Sequence, residues 1–348
     1  MSARLDTEAL HQDALVIDSH NDTIVSHIRR NLMGLYGSPV RDKGRRHGTV
    51  AEMRGMFDAT ARAAEIQIDF PLMREGGIDA AFFAVDVTLA WKSYLPYALD
   101  AIGYLLAELA DGAGDVVIAR TADDIREAKA AGRLAAILVV ENSDVLERSL
   151  NVLHILHKVG VRSMGLTHNI RSWVADGNAE ARSRGGLTEF GAMVVQEMNR
   201  LGMLVDVSHI GEAGFWDVME LATRPVIASH SCCKALCDHP RNLTDEQLRA
   251  IAENGGSAGV TFVPQFIHAD EPTFERLMDH IDHAVQVAGP RHVGIGSDFD
   301  GGGTLVKDAT EFSRITETLA DRGYDEEAVR GILGENHLRV LAEALTPE

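Results

Sequence analysis

The chain has 348 residues, of which 45% are hydrophobic, so it can bury a large core, and single α/β barrel domains routinely have this length. Its 52 acidic residues outnumber its 33 basic ones, and the net charge of -19 disfavours binding to nucleic acid or anionic lipid surfaces. The polar amino terminus lacks the apolar segment of a secretory signal, and no apolar run reaches the roughly 18 to 20 residues of a membrane helix. We therefore expect a cytoplasmic protein without a membrane anchor.

Short apolar or β-branched segments alternate with helical stretches along the whole chain. The predicted strands cover residues 14–20, 78–87, 134–141, 161–168, 202–209, 224–230, 256–263 and 292–298. Between them lie amphipathic segments such as 187–202 and 274–290, each with Gly near its end, as helix C-caps commonly have. This alternation predicts a parallel (β/α)8 TIM barrel, an α/β fold, in one domain that spans residues 1–348.

The segment at 29–70 interrupts this pattern after the first predicted strand. It is long, polar and basic, as in RDKGRRHG. Two interpretations stay open: a lid or rim beside the first strand, or a solvated surface loop.

Polar side chains stand at the carboxyl ends of six predicted strands. They are His20, Glu141, His168, His209, His230 and Asp298. Any one of them could be a buried, hydrogen-bonded structural residue. Active sites of such barrels gather at this end of the strands, so six polar residues in one position favour a common site.

Five residues have the chemistry of metal ligands in a hydrolase. They are His20, Asp22, Glu141, His209 and His230. Three imidazoles with two carboxylates form the mixture that Zn²⁺ takes when it is used for hydrolysis. Residues two apart on a strand face the same side, so His20 and Asp22 can reach one ion. The set predicts a pair of divalent ions.

Several motifs also resemble a known family. DSHNDT, LTHN, DVSH, SHS followed by HPRN, and GSDFDG occur in the order and approximate spacing of the membrane dipeptidase (renal dipeptidase) family, peptidase family M19. The resemblance extends over essentially the whole chain, including the closing GILGENHLRVL. It implies an amidohydrolase-like barrel with two Zn²⁺ per chain that hydrolyses small dipeptides, and a homodimer.

The resemblance implies a role for each metal ligand. His20 and Asp22 would bind one zinc ion, His209 and His230 would bind the other, and Glu141 would bridge both. The two ions would share a hydroxide, and that hydroxide would be the nucleophile.

Three further residues match catalytic or substrate-binding positions of the family. Asp298 would be the acid/base that moves a proton from water to the leaving amine, although a helix N-cap or turn aspartate also suits its sequence. His168 would contact the scissile carbonyl and stabilise the oxyanion. Arg241 would hold the terminal carboxylate, although a surface arginine paired with Asp245 is an equally good interpretation of the residues alone.

Two departures from the family pattern bear on substrate recognition. Glu141 is followed by Asn142 and Ser143 where relatives often have glycines, so we expect a differently shaped loop. The stretch VTFVPQFI has only Phe262 and Phe266 where relatives offer a tyrosine hydroxyl, which would make recognition depend more on Arg241.

Two other functions stay open at this point. Another binuclear amidohydrolase-type enzyme, such as a lactonase, a deaminase or a phosphotriesterase relative, would share the barrel and metals, but His-x-Asp in the first strand disfavours the commonest of these. A non-catalytic metal-stabilised binding protein would not need Asp298, His168 and Arg241 together. We expect a zinc-dependent dipeptidase, with L,D-dipeptides among its candidate substrates.

Overall fold

Nine strands, each parallel to its neighbours, form the central sheet of the computed structural model, which describes residues 5–30, 35–36, 66–90, 93–112 and 114–345. The side chains of residues 27–30 and 89 are outside this description. The strands are β1 (Ile17–Asn21), β2 (Ala80–Asp86), β3 (Val116–Ile118), β4 (Leu134–Glu141), β5 (Val161–Gly165), β6 (Leu204–Asp206), β7 (Ile227–Ser231), β8 (Ser257–Val260) and β9 (Val293–Ile295).

Eight of these strands close into a barrel. The order runs β1, β2, β4, β5, β6, β7, β8 and β9, and β9 pairs with β1. Each barrel strand overlaps one of the eight predicted segments, so the predicted (β/α)8 fold is confirmed. The three-residue strand β3 was not predicted; it pairs with the first half of β4, and β5 pairs with the second half.

Helices follow most barrel strands and surround the sheet. They are α1 (Thr7–Asp13), α2 (Thr23–Arg30), α3 (Phe70–Glu75), α4 (Tyr94–Asp111), α5 (Ala122–Ala130), α6 (Leu150–Val159), α7 (Glu189–Leu201), α8 (Glu212–Leu221), α9 (Asp245–Glu253), α10 (Pro264–Ile267), α11 (Phe274–Ala288), α12 (Ser313–Asp321), α13 (Glu326–Arg330) and α14 (Asn336–Ala344). A π-helical turn, Gly331–Glu335, joins the last two. Within the described ranges, none of the helices is both long and apolar enough to span a bilayer.

The predicted lid or rim at 29–70 falls mostly on residues outside the described ranges, so it stays a prediction. Its last residues are described, and Gln67 joins them to the loop after β9. The Gln67 backbone N–H donates to Asp300 Oδ1 at 3.0 Å, and the Asp300 N–H donates to Gln67 Oε1 at 3.0 Å. This pairing anchors the end of the segment beside Asp298.

Apolar side chains fill the barrel interior below the mouth. Phe82, Ile137, Leu204 and Ile227 come from four different strands and belong to one buried cluster. Successive strand residues point to opposite faces, so Glu141 shares the face of Ile137. Strand β4 therefore fills the interior with Ile137 and presents the Glu141 carboxylate at its carboxyl end.

Near the mouth, backbone atoms and the Ser19 hydroxyl occupy the space between the strands. Ser19 Oγ lies 2.7 Å from the Ser229 carbonyl oxygen and 2.9 Å from that of Ile295, which links β1, β7 and β9. A Cβ at Gly259 would overlap both the Ser229 oxygen and Ser19 Oγ. Glycine at this position is therefore a packing requirement of the barrel.

Replacing this glycine tests the packing. Gly259→Ala should lower the free energy of unfolding by about 1–3 kcal/mol, because the added methyl overpacks the barrel. Gly103→Ala is the matched control, since a Cβ at Gly103 in α4 would meet no heavy atom within 4 Å among the described residues. The control should be neutral or stabilising by up to about 1 kcal/mol. Urea titrations that give the two variants equal stability would contradict this packing argument.

Candidate metal centre and active site

The structure brings the predicted site residues together at the carboxyl end of the barrel. His20 and His230 lie in β1 and β7, and Glu141 is the last residue of β4. The others are in loops that follow strands: Asp22 after β1, His168 after β5, His209 after β6, Arg241 after β7 and Asp298 after β9. Closure of the barrel therefore brings together residues that lie far apart in the sequence.

Glu141 is the centre of the cluster. Its Oε1 lies 2.9 Å from His209 Nε2, 3.6 Å from His230 Nε2 and 3.9 Å from His20 Nε2. In three sets, ligand atoms lie within 4.8 Å of one another: His20, Glu141 and His230; Glu141, His168 and His209; His20, Asp22 and Asp298. Because Glu141 and His20 each belong to two sets, the sets overlap as expected of a site for two neighbouring cations.

Hydrogen bonds outside the cluster orient two of the imidazoles. His209 Nδ1 lies 2.9 Å from Asn169 Oδ1, and His230 Nδ1 lies 2.8 Å from Ser229 Oγ. The Ser229 hydroxyl donates to Asp206 Oδ2 at 2.5 Å, so its oxygen is left to accept a hydrogen bond from His230 Nδ1–H. Both rings therefore carry their hydrogen on Nδ1, and both direct an Nε2 lone pair into the site.

These two lone pairs face each other at close range. His209 Nε2 and His230 Nε2 are 2.7 Å apart, and Glu141 Oε1 lies beside both. Three electron-pair donors this close are repulsive unless a cation lies between them. A neutral imidazole fixed through its other nitrogen is the usual form of a metal-ligating histidine.

The predicted ligands in β1 and directly after it also carry unpaired polar atoms. His20 Nε2 and Asp22 Oδ1 are buried, and neither has a hydrogen-bond partner in the described part of the chain. Buried polar atoms are normally paired, so these atoms call for a ligand. With their imidazole and carboxylate donors, the five residues fit a pair of divalent cations such as Zn²⁺.

Burial and mutual charge shift the pKa values of the cluster. Burial raises the pKa of Glu141 well above its usual value, and it raises the pKa of Asp298 to about 7. Burial by itself would lower the pKa of His20, but the carboxylates of Glu141, Asp22 and Asp298 outweigh it and raise that pKa to about 10. Neighbouring carboxylates raise the pKa values of Glu141 and Asp298 further.

Burial acts in the opposite direction on the remaining imidazoles. It lowers the pKa of His209 and His230 well below their ordinary value, and it lowers the pKa of His168 as well. Neutral imidazoles are the form in which histidine binds metal or donates a hydrogen bond without carrying charge.

Three residues of the site adopt backbone conformations with positive φ. They are His209 (φ 66), Asp298 (φ 59) and Asn142 (φ 76). Such conformations cost of order 1–3 kcal/mol each and persist where the surroundings hold them. Asn142, directly after Glu141, has a positive φ, a backbone conformation that glycine adopts more readily. It lies where the sequence predicts a differently shaped loop. Its Oδ1 accepts the Asp144 N–H at 3.0 Å, which stabilises the turn.

Several supporting residues were not predicted from the sequence. Asp18 accepts the backbone N–H and the hydroxyl of Ser297, both at 2.7 Å, and so ties β1 to the residue before Asp298. Asp206 accepts the backbone N–H and the hydroxyl of Ser229. Both are strand residues two or three positions before a predicted ligand. An aspartate two residues ahead of His20 and another three residues ahead of His209 are the signal that could have found them.

Arg241 is not the surface residue that one interpretation of its sequence allowed. Only 5% of its surface is exposed, and Asp245 pairs with His283 at 2.8 Å instead. Arg241 Nη2 donates to the His230 carbonyl at 2.9 Å, and its guanidinium carbon lies 5.3 Å from the ring centroid of Phe266. Its Nε has no hydrogen-bond partner among the described residues, so one donor is free for an anion.

Known proteins resemble this chain over most of its length. The model of a family described as membrane dipeptidase (peptidase family M19) matches residues 5–347. Dipeptidase verJ of Clonostachys rogersoniana is 36% identical over 263 residues, which cover 74% of this chain and 67% of the relative. Dipeptidase aclJ of Aspergillus oryzae is 33% identical over 297 residues, with coverage of 80% and 70%.

A solved structure agrees with these relatives. It is a metallo peptidase from Rhodobacter sphaeroides liganded with a phosphinate mimic of the dipeptide L-Ala-D-Ala. The two chains are 28% identical, the match covers 95% of this chain and 100% of the other, and the TM-score is 0.80.

The hydrogen-bond relay to His230 can be tested through metal affinity. Ser229→Ala leaves His230 Nδ1 without its acceptor, so we expect metal affinity to fall about 10- to 100-fold. Ser163→Ala is the control, because this buried hydroxyl of β5 donates to the Leu204 carbonyl at 3.0 Å and has no hydrogen bond to a site residue within the described ranges. Metal content after dialysis against graded free zinc measures the effect. Equal affinity in the two variants would show that the relay does not orient His230.

Proposed function

Because this chain belongs to the membrane dipeptidase family, peptidase family M19, we propose that it hydrolyses dipeptides with a free carboxyl terminus in a zinc-dependent reaction. Relatives named dipeptidase support a metallo-dipeptidase activity rather than the lactonase or deaminase alternatives. The observation that carries the proposal is the convergence of His209 Nε2, His230 Nε2 and Glu141 Oε1, three lone-pair donors in one buried place.

The proposed cofactor is two Zn²⁺ per chain. His20 and Asp22 would hold one ion, His209 and His230 the other, and Glu141 would contact both. Such ions supply Lewis acidity and lower the pKa of a water molecule towards neutrality. His20 Nε2 and Asp22 Oδ1 are buried and have no hydrogen-bond partner in the described ranges, which supports this assignment.

Asp298 is the proposed proton carrier. The residue is half-buried, and desolvation disfavours the charged form of its carboxyl and raises its pKa to about 7. A group with a pKa near the working pH can both accept a proton from the attacking water and release it to the leaving amine. A carboxylate oxygen of Asp298 lies within 4.8 Å of ligand atoms of His20 and Asp22, which supports this role.

His168 and Arg241 are proposed to bind the substrate. The ring of His168 stacks on that of His209 with centroids 4.2 Å apart, and the lowered pKa of His168 keeps it neutral with one N–H to donate. That donor would stabilise charge on the scissile carbonyl oxygen. Arg241 would pair with the terminal carboxylate through its free Nε, as guanidinium groups commonly do.

The Rhodobacter neighbour was solved with a mimic of an L,D-dipeptide, which supports testing D-residues at the carboxyl-terminal position. The expected homodimer, the single domain and the cytoplasmic location stay predictions from sequence.

The role of Asp298 predicts a separation of metal binding from turnover. Asp298→Asn should keep both metal ions but lose roughly 10²- to 10⁴-fold in kcat, because the amide cannot carry the proton. Asp300→Asn, in the same loop, is the control and should change turnover little. Metal analysis and steady-state kinetics are measured on the same preparations. Loss of metal from Asp298→Asn would make Asp298 a ligand instead.

The carboxylate clamp predicts a preference for free dipeptides over their amides. With zinc supplied, the unmodified protein should hydrolyse free dipeptides far faster, by on the order of 10⁴-fold at the extreme, because an amide leaves the buried guanidinium unpaired. Arg241→Met should collapse this ratio, whereas Arg249→Met on the exposed face of α9 should preserve it.

Two results would contradict the proposed function. Equal turnover of free and amidated dipeptides would remove the clamp and favour the lactonase-like alternative. Full activity after removal of metal with a chelator would remove the zinc-dependent mechanism.

A further inference from the structure

A cavity of about 510 Å³ opens beside the metal centre, between the loops that follow β5, β6 and β7. His209, Ser231 and Arg241 line its inner side, so it shares two residues with the proposed active site. Its volume lies in the range of about 300–1,000 Å³ that holds drug-sized ligands. A glycine or alanine side chain would leave most of this space to water.

About half of the cavity wall is apolar, and the rest is polar or charged. Val207, Ile210, Phe215 and Leu243 are buried and line it. Trp216 stands at the rim, 41% exposed, with its ring perpendicular to that of Phe215 at a centroid distance of 5.1 Å. An aromatic ligand would gain both buried area and edge-to-face contacts from such a wall.

Two buried polar atoms in the wall have no hydrogen-bond partner in the described part of the chain. They are Asn178 Oδ1, an acceptor, and Arg241 Nε, a donor. Both side chains are more than nine-tenths buried and line the cavity. Because unpaired buried polar atoms are rare and costly, a ligand that offers a negative group at one place and an N–H or O–H at another would suit both.

The position of Arg241 decides which part of a dipeptide reaches the cavity. The terminal carboxylate and the side chain of the last residue are attached to the same Cα. A carboxylate paired with Arg241 therefore brings that Cα to the edge of the cavity, and one of its two configurations directs the side chain into it. The side chain of the first residue lies across the scissile bond.

We propose that this cavity is the subsite for the side chain of the carboxyl-terminal residue, and that it selects large aromatic side chains with a hydrogen-bond donor, such as tryptophan and tyrosine. This inference rests on the dipeptidase activity and the Arg241 clamp proposed above. The apolar wall holds the ring, Asn178 Oδ1 accepts from the indole N–H or phenol O–H, and Arg241 Nε binds the carboxylate.

The test compares kcat/KM for Ala-Xaa dipeptides with Gly, Ala, Phe, Tyr or Trp at the second position, the chiral residues in both L and D forms. Tryptophan and tyrosine should exceed glycine and alanine by about tenfold or more, the scale on which a complementary pocket discriminates. Tyrosine should also exceed phenylalanine, because only its hydroxyl pairs with Asn178. Equal values for all residues would overturn the subsite.

Two variants assign the preference to this cavity. Ala213→Trp, in the first turn of α8, fills the cavity and should lower the Ala-Trp to Ala-Gly ratio about tenfold. Ala179→Trp is the matched control, an exposed residue of the neighbouring loop that does not line the cavity. Asn178→Leu should abolish the preference for tyrosine over phenylalanine, since it keeps the bulk and removes the acceptor.

A reversed series separates the remaining explanations. If Ala213→Trp impairs Trp-Ala rather than Ala-Trp, the cavity takes the amino-terminal side chain and the inference is wrong. If it lowers turnover of small and large dipeptides alike, the cavity is not a side-chain subsite. If the zinc-loaded protein cleaves no dipeptide at all, the proposed function fails, and the subsite fails with it.

Discussion

The Glu141 carboxylate lies within 4 Å of three imidazole nitrogens in the buried mouth of the barrel. His209 Nε2 and His230 Nε2 each direct a lone pair towards the Glu141 carboxylate. These three groups repel one another unless a cation lies between them. Holding them in this arrangement costs free energy, which the rest of the fold must offset. Three members of the cluster are fixed from outside: Glu141 by the backbone of β4, His209 by Asn169 and His230 by Ser229.

The closed barrel provides that rigidity. Its strands place side chains from distant parts of the chain at one rim, and their hydrogen-bonded backbones cannot move apart singly. Two buried carboxylates position the site residues indirectly, through serine hydroxyls. Asp206 fixes the hydroxyl that orients His230, and Asp18 ties β1 to β9 through Ser297, next to Asp298. Positive φ angles at His209 and Asp298 show that the backbone accepts local strain to aim these side chains inward.

The proposed function divides the site into a part that would perform hydrolysis and a part that would recognise the substrate. The first is built from strand ends and is held by the barrel. The second is built from the loops after β5, β6 and β7. Arg241 links the two parts, since it contacts the His230 carbonyl and lines the cavity. Phe266 lies against its guanidinium.

Alternation of apolar segments predicts the eight barrel strands, because the periodicity of a strand or helix is a local property of adjacent residues. The mix of histidines and carboxylates at strand ends likewise predicts the metal chemistry, and the order of the motifs identifies the family. Strand β3 escapes such analysis, since three residues carry too little pattern. The relay from Asp206, the burial of Arg241 and the cavity beside it depend on contacts between residues far apart in the chain. No local pattern encodes such contacts, so they appear only once the barrel has closed.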